Sequence, residues 1–322
     1  EDLAPVRARR RRKRRLEVGQ QRPHGGLVLP PREVDADGIH RLFSKKTVAG
    51  LSSYITNGKI SQKGMQKAAK VLGSYKSIAD LLQTEHFLPF ATASLRNIEN
   101  REEALHYIRE KSGADIQVVD GSLEALYGYR ALTISQDVPS GILFDIGGGS
   151  TEIIYFLDRE VRRAESIPMG SLNTFTTMTK DLVPSSKETK KIKNEFYAQL
   201  DAAHIPKNTK QEELFGIGGT VRACGNVCQE YFGLDSNKEI PAEAIRQLIR
   251  DLRLENRTAL RTLLQVVPER IHTLTPGMLL IEALLSRFSA KRMTVNKYGV
   301  REGFIVERLR KEGVLHDGFV VD

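Results

Sequence analysis

The chain has 322 residues, of which 40% are hydrophobic, so it can bury the cores of two domains of ordinary size. No apolar run approaches the roughly 18–20 residues of a membrane span, and no secretion signal opens the sequence. We therefore expect a cytoplasmic protein with no membrane partner. The net charge is +9, but residues 1–32 hold ten basic and three acidic residues. The other 39 basic and 37 acidic residues nearly balance, so nucleic acid is not an expected partner.

Residues 1–32 differ in composition from the rest of the chain. They contain the basic run 9–15, and Pro23, Pro30 and Pro31 interrupt regular structure. We expect this segment to be a disordered basic arm, with a nucleic-acid or localisation patch as the alternative. We expect the domains to span residues 33–138 and 139–322.

The first domain alternates helices and strands. Apolar residues at helical spacing predict a core-facing helix over 61–82, with Ser61 as its N-cap. A strand over 86–92 leads into a helix from Ser94 to about Ser112, and a strand over 115–119 precedes a helix that begins near Asp120. This order is typical of an α/β sheet.

Two charged residues follow strands of this domain. Arg96 lies at a strand-to-helix junction, where a guanidinium can bind phosphate with two parallel hydrogen bonds. A surface salt bridge is the alternative for Arg96. Glu124 lies in the first turn of the next helix, close to the same crevice, and a residue that favours the helix dipole is its alternative role.

The second domain begins after a crossover at 135–140 with a glycine-rich hairpin over 141–155. Two apolar runs predict its strands. Asp145 ends the first strand and suits Mg²⁺, and Ser150 and Thr151 add hydroxyl donors. The three glycines between them let backbone N–H groups face phosphate oxygens; they are Gly147, Gly148 and Gly149. A tight hairpin without a ligand is the alternative.

A second glycine turn follows a short strand over 213–215. Gly216, Gly218, Gly219 and Thr220 precede a helix from about Val221, and the N-terminus of a helix favours anions. On this helix Cys224 and Cys228 share one face, and a stabilising disulfide usually closes a longer loop, so we expect reduced core thiols. The seven histidines lack the spacing of a metal site. Further helices, a strand over 292–296 and a final helix ending near 311 complete the chain.

At these motifs the sequence resembles the exopolyphosphatase/guanosine pentaphosphate phosphatase (Ppx/GppA) family of the actin-like ATPase superfamily. The resemblance covers roughly residues 33–310 and rests on five segments: 91–96, 119–125, 145–152, 216–220 and 298–303. It implies an α/β fold of two ribonuclease H-like domains that face a cleft, with the last helix packed back on the first domain.

The resemblance also implies the chemistry. Inorganic polyphosphate would lose its terminal phosphate to water in a Mg²⁺-dependent reaction, with guanosine pentaphosphate as the alternative substrate. Glu124 would be the general base, and Asp145 and Glu152 would hold the metal. The residues expected to bind phosphate are Arg96, Gly147, Gly148, Gly149, Ser150, Gly218, Gly219 and Thr220. The sequence does not fix the oligomeric state, and a homodimer stays open.

One departure from the family concerns its first strand and first phosphate loop, which residues 1–32 do not show. A shifted reading frame over residues 19–27 can encode Gly-Asn-Ser-Val-Arg-Met-Val-Val, which is close to that loop. We therefore hypothesise that residues 1–32 are read out of frame and that the first domain is incomplete at its N-terminus. A chain without the loop would be a weak hydrolase with a poorly packed first half, or a sensor that binds phosphate ligands without hydrolysis. A small-molecule kinase on the same fold is a further alternative.

Overall fold

The computed structural model describes residues 51–206, 210–313 and 320–321, together with the strand segments 14–17, 20–21, 26–29, 31–34, 38–41 and 45–48. Its first half contains β1 (Arg14–Glu17), β2 (Gln20–Gln21), β3 (Gly26–Leu29), β4 (Pro31–Val34), β5 (Gly38–Arg41), β6 (Lys45–Val48), β7 (Ile55–Thr56), β8 (Lys59–Ile60), α1 (Gln62–Leu81), β9 (His86–Phe87), β10 (Phe90–Ala91), α2 (Ala93–Arg96), α3 (Arg101–Ser112), β11 (Gln117–Val118) and α4 (Gly121–Ser135).

The second half contains β12 (Gly141–Ile146), β13 (Thr151–Leu157), β14 (Glu160–Ile167), α5 (Ser171–Met178), α6 (Ser186–Ala202), β15 (Glu213–Ile217), α7 (Gly218–Phe232), β16 (Glu239–Pro241), α8 (Ala242–Arg253), α9 (Arg257–Val266), α10 (Ile271–Arg287), β17 (Arg292–Val295), α11 (Val300–Lys311) and β18 (Val320–Val321). None of the helices within the described ranges is long and apolar enough to cross a membrane.

The strands of the first half form two five-stranded sheets, in the orders β18-β5-β4-β1-β9 and β11-β10-β2-β3-β6. Strand β1 pairs in parallel with β9 in the first sheet, and β2 pairs in parallel with β10 in the second. The two sheets are therefore linked twice by strands that are consecutive in the chain. Strands β7 and β8 form a separate hairpin.

The N-terminal segment differs from the sequence expectation. Strand β1 pairs with β4 and β9, so the described residues include a strand where we expected the first one to be missing. Sheet pairing uses main-chain N–H and C=O groups, which any residue other than proline supplies in full. Pro31 is the first residue of β4, a position where proline is tolerated. Strands β1, β2 and β3 and the start of β4 lie within residues 1–32, so the expectation of a disordered arm is wrong for these residues. Residues 1–13, 18–19, 22–25 and 30 lie outside the described residues, so disorder there and the reading-frame hypothesis stay predictions.

The prediction of one continuous helix from Ser94 to Ser112 is wrong, because this segment forms two helices, α2 and α3. Asn100 is the residue before α3, and its side chain makes no capping hydrogen bond. It pairs instead with both main-chain groups of Ile60, accepting from the N–H at 2.9 Å and donating to the carbonyl at 3.1 Å. The N–H of Glu99 donates to the carbonyl of Gly58 at 2.7 Å. The chain between the two helices thus supports the β7–β8 hairpin, which local sequence does not reveal.

The second half is built on one six-stranded sheet with the order β14-β13-β12-β15-β17-β16. Alternate residues of β12 enter different cores. Phe144 belongs to the core that also contains residues of α6, α7, α8 and α10, whereas Leu143 belongs to the core that contains residues of α4 and α11. Strands β12 and β15 are parallel, so their carboxyl ends lie at the same edge of the sheet. That edge is where a ligand site is expected in an α/β fold.

The last helix packs against α4. Gly303 has no side chain, and an added Cβ would lie 1.7 Å from the carbonyl oxygen of Tyr127. The ring of Phe304 stacks on Phe90 at a centroid distance of 4.8 Å. This close contact carries the start of α11 to the mouth of the cleft between the two halves.

Candidate active site

A cleft opens where the carboxyl ends of β12 and β15 meet the first turn of α4. Elements from both halves of the chain form its walls. The described residues that line it are Thr92, Ala93, Glu124, Asp145, Ile146, Gly147, Ser150, Glu152, Gly218, Gly219, Thr220, Arg222, Arg270, Gly299, Val300, Arg301 and Glu302. The structure therefore brings together most of the site residues expected from the sequence.

Asp145 and Glu152 face each other on the β12–β13 hairpin as direct cross-strand partners. Glu152 is 2% exposed, and its Oε1 accepts hydrogen bonds from the hydroxyls of Ser150 at 2.7 Å and Ser166 at 2.8 Å. Burial raises the pKa of Glu152, although these hydrogen bonds act in the opposite direction. Two acidic residues in direct opposition repel each other, so the pair favours a nearby cation.

Glu124 reaches the cleft from the first turn of α4. Asp120 caps this helix by accepting a hydrogen bond from the N–H of Leu123 at 2.8 Å, which fixes where the helix begins. The pKa of Glu124 is raised well above its usual value, first by burial and then by the negative charge of Glu152. A buried carboxyl with a raised pKa in a cleft is a typical acid–base group.

Arg96 binds the carboxylates rather than lining the cleft. Its Nη1 donates to Oε2 of Glu124 at 2.9 Å and to the carbonyl of Val119 at 3.1 Å. Its Nη2 lies 3.9 Å from Oε1 of Glu152. The structure thus favours the ion-pair alternative for Arg96, with two buried carboxylates as partners instead of a surface group. A contact between Arg96 and phosphate stays a prediction.

The first glycine turn divides its residues between two cavities. Gly147 and Ser150 line the cleft, whereas Gly148 and Gly149 line a second pocket on the other side of the turn. The N–H of Gly147 donates to the carbonyl of Ser150 at 2.9 Å, so it is used inside the turn. The expectation that all three glycines present N–H groups to phosphate is therefore too simple.

The helix α5 holds this turn in place. The N–H groups of Ser171 and Leu172 donate to the carbonyls of Gly147 and Gly148 at 2.8 and 2.9 Å. The side-chain amide of Asn173 donates to the carbonyl of Gly149 at 3.0 Å. The turn is thus fixed by donors that lie 20 or more residues along the chain, and sequence reasoning missed them.

In the second glycine turn, Gly218 and Gly219 each make room for a different charged group. Gly218 has a φ of +87°, and an added Cβ would lie 2.0 Å from Oδ1 of Asp145. A Cβ on Gly219 would lie 2.5 Å from Nη2 of Arg270. Both residues belong to the first turn of α7, which lines the cleft, and the N-terminus of a helix favours an anion.

Three arginines of the cleft were missed by the sequence analysis: Arg222, Arg270 and Arg301. Arg270 is only 8% exposed, and burial lowers the pKa of both Arg222 and Arg270, with carboxylates including Asp145 acting in the opposite direction. Arg222 follows the second glycine turn by two residues, and Arg301 belongs to the segment 298–303, so both positions carried a sequence signal. Arg270 lies about 50 residues away, and nothing local indicated it.

Asp145 and Glu152 offer the hard oxygen donors that Mg²⁺ prefers. Among the described residues, no group of three or more His, Cys, Asp or Glu side chains is placed to hold a metal ion. This donor set fits Mg²⁺, which usually keeps several waters and binds through one or two carboxylates and the phosphates of a substrate. The residues present are therefore suited to a metal that arrives with a phosphate ligand.

The α/β fold and the charged cleft between its two halves agree with the comparisons with known proteins. The model of the Ppx/GppA phosphatase family matches residues 32–312, and the chain belongs to this family. Exopolyphosphatase 1 of Mycobacterium tuberculosis is 23% identical over 276 residues, which cover 84% of this chain and 80% of that protein. Exopolyphosphatase 1 of Mycobacterium leprae is 23% identical over 84% of this chain and 81% of its own length.

Solved structures show the same fold. The Ppx/GppA family member from Aquifex aeolicus is 21% identical, covers 94% of this chain and 99% of its own, and superposes with a TM-score of 0.78. An exopolyphosphatase from Cytophaga hutchinsonii is 22% identical, covers 92% of this chain and 98% of its own, and gives a TM-score of 0.79. The expected family and fold class are thereby confirmed.

Proposed function

We propose that this protein is an exopolyphosphatase that hydrolyses the terminal phosphate of inorganic polyphosphate with Mg²⁺. The observation that carries the proposal is the position of Glu124, a buried carboxylate held by Arg96 in a cleft that two glycine turns and three further arginines surround. Three of the four proteins named above are exopolyphosphatases, which favours polyphosphate over guanosine pentaphosphate.

The charges of the cleft suit a polyanion. Arg222, Arg270 and Arg301 lie on the walls that also carry the second glycine turn and the start of α11. Because Arg270 is buried and Arg222 is half-buried, their attraction for phosphate oxygens is less screened than that of exposed arginines. Charge neutralisation of the transferred phosphoryl group is the main requirement of this reaction.

Glu124 would accept a proton from the attacking water. A base is most effective when its pKa lies near the working pH, and burial moves the pKa of Glu124 upward from the usual range of carboxyl groups. Arg96 would keep the carboxylate in one orientation through the 2.9 Å hydrogen bond. This pair thus provides an aligned base without exposing it to bulk solvent.

Asp145 and Glu152 would hold Mg²⁺ beside the terminal phosphate. The metal would neutralise part of the phosphate charge. Ser150 and Ser166 would keep the carboxylate of Glu152 in place through their hydroxyls.

The proposal is tested by phosphate release from long-chain polyphosphate in the presence of Mg²⁺. Glu124→Gln should lower kcat by about 100- to 10,000-fold, the usual contribution of a general base, while binding of polyphosphate persists. Glu102→Gln is the matched control, because Glu102 also lies in the first turn of a helix but is exposed. Its turnover should equal that of the wild type.

A substrate panel separates the alternatives. If guanosine pentaphosphate is hydrolysed much faster than polyphosphate, the substrate in our proposal is replaced and the chemistry is kept. A sensor would bind polyphosphate without releasing phosphate, and Glu124→Gln would then change nothing. Either result would contradict the proposal as stated.

A further inference from the structure

A second pocket adjoins the cleft on the far side of the first glycine turn. It has a volume of about 430 Å³, within the roughly 300–1,000 Å³ of ligand pockets, and it lies between the two halves of the chain, where such pockets are common. The described residues that line it are Ser53, Ile55, Thr92, Ala93, Asn97, Ile98, Gly148, Gly149, Leu172, Asn173 and Thr176. Thr92 and Ala93 also line the cleft, so the two cavities share a wall.

The two cavities differ in charge. The described lining of the second pocket contains no charged side chain, whereas the cleft is lined by three arginines and four carboxylates. Ile55, Ile98 and Leu172 give the second pocket an apolar floor. Two amides and three hydroxyls provide its polar groups. This lining is suited to an uncharged, hydroxylated molecule.

The difference indicates which reactant each cavity receives. A polyphosphate chain carries about one negative charge per phosphate and gains little from a neutral pocket, since desolvated charges need opposite charges. The donor chain therefore belongs to the cleft with the arginines. We therefore assign the nucleophile to the neutral second pocket. Glu124, the expected base, lies in the cleft that borders this pocket.

Resting on the proposed function, we propose that the second pocket is an acceptor site and that the protein also transfers the terminal phosphoryl group of polyphosphate to a small uncharged polyol. The exposed side chain of Asn97, which has no hydrogen-bond partner among the described residues, and the hydroxyl of Thr176 are the groups that would orient the polyol. Asn173 is not one of them, because its amide holds Gly149 and its Oδ1 accepts from the N–H of Gly170.

The step follows the same course as hydrolysis with an alcohol in place of water. A hydroxyl oxygen of the polyol attacks the terminal phosphorus, and Glu124 accepts the hydroxyl proton. The new P–O bond forms as the bridging P–O bond breaks, and its electron pair stays on the polyphosphate, which is one phosphate shorter. The products are a phosphate monoester and the shortened chain, with no change in oxidation state.

The test measures how the phosphoryl group partitions between two acceptors. Wild-type protein turns over long-chain polyphosphate with Mg²⁺ in the presence of glycerol, ribitol or glucose, and the ratio of phosphate ester to inorganic phosphate is determined. For at least one polyol this ratio should exceed the polyol-to-water molar ratio by about tenfold or more, because a bound acceptor is already positioned for attack. A ratio no higher than the molar ratio for all three overturns the proposal, whereas phosphate release in the same samples still supports hydrolysis.

Two neighbouring residues of α5 supply a matched pair of variants. Thr176 and Thr177 are both exposed, and both donate a hydroxyl hydrogen bond to the carbonyl of Asn173. Only Thr176 lines the pocket. Thr176→Trp should fill the pocket and lower the partition ratio to the molar ratio, whereas Thr177→Trp should keep the wild-type ratio. Equal ratios in the two variants would show that the transfer does not use this pocket.

Discussion

The carboxylate of Asp145 lies directly against the backbone of Gly218, so closely that an added Cβ would stand 2.0 Å from Oδ1. The end of β12 and the start of α7 are therefore in contact through a carboxylate and a glycine. Any side chain at position 218 must displace Asp145 or move the helix.

We expect Gly218→Ala to lose activity far beyond its effect on stability. The φ of +87° adds a strain of roughly 1–2 kcal/mol for a residue with a Cβ, and a displacement of about 1 Å in a site can cost about 100-fold in rate. Gly233→Ala is the control, since Gly233 ends the same helix with a φ of +64° and nothing within 4 Å of its Cβ position. The midpoint of thermal unfolding and kcat for polyphosphate are measured for both. A similar loss of kcat in the two variants would contradict this explanation.

The ion pair of Arg96 gives a second prediction. Arg96→Leu should lower kcat by about 100-fold, because Glu124 would lose its orientation and the hydrogen bond that Nη1 of Arg96 donates to its carboxylate. The acid limb of the pH–rate profile should also move to higher pH, since Arg96 lowers the pKa of Glu124. The matched control is Arg159→Leu, which breaks an exposed pair with Asp137 of similar length. An unchanged pH profile for Arg96→Leu would show that Arg96 does not act through Glu124.

The pH dependence of Glu124 has a defined sign. Its raised pKa means that the base becomes protonated at a pH above the usual value of about 4.3 for a glutamic acid. We expect kcat to fall as the pH falls through this raised pKa. The rate of wild-type protein from pH 4 to 9 shows this limb, and an inflection at the usual carboxyl value would contradict it.

The free energy of unfolding should depend on pH in the opposite sense to kcat. A carboxyl whose pKa is raised by folding favours the folded state when it is protonated, and this contribution is lost as the pH rises through the folded-state pKa. Glu124→Gln removes the ionisation, so its free energy of unfolding should be higher than that of the wild type at pH 8 and similar at pH 4. Denaturant unfolding at the two pH values measures the difference.

The contact between α11 and α4 gives a prediction on stability alone. Gly303→Ala should destabilise the fold by about 1–3 kcal/mol, because its Cβ would overlap the carbonyl oxygen of Tyr127 at 1.7 Å. Gly73→Ala is the control in a helix interior, where an added Cβ would make only ordinary van der Waals contact with its nearest neighbour at 3.8 Å. It should stabilise by about 0.5–1 kcal/mol, since alanine favours a helix more than glycine. Denaturant unfolding that gives the same sign for both would contradict the close packing of the two helices.

The sequence by itself determined the features of this protein that depend on short, continuous segments of the chain. The apolar flanks of the β12–β13 hairpin, Asp145 at its turn and the glycines at positions 218 and 219 are local, and local backbone preferences determine where strands and turns lie. Glu124 was found in the same way, because it follows the capping residue of a helix by four positions. These features also carried the resemblance to the family.

Only the tertiary structure decided which groups share the cleft. Arg270 meets Gly219 across 50 residues, and Arg96 meets Glu124 and Glu152 from two different halves. Gly148 and Gly149 of the first glycine turn line a neutral pocket that no motif indicated. Contacts between distant segments depend on how helices pack on sheets, and the spacing of residues along one chain does not record that packing.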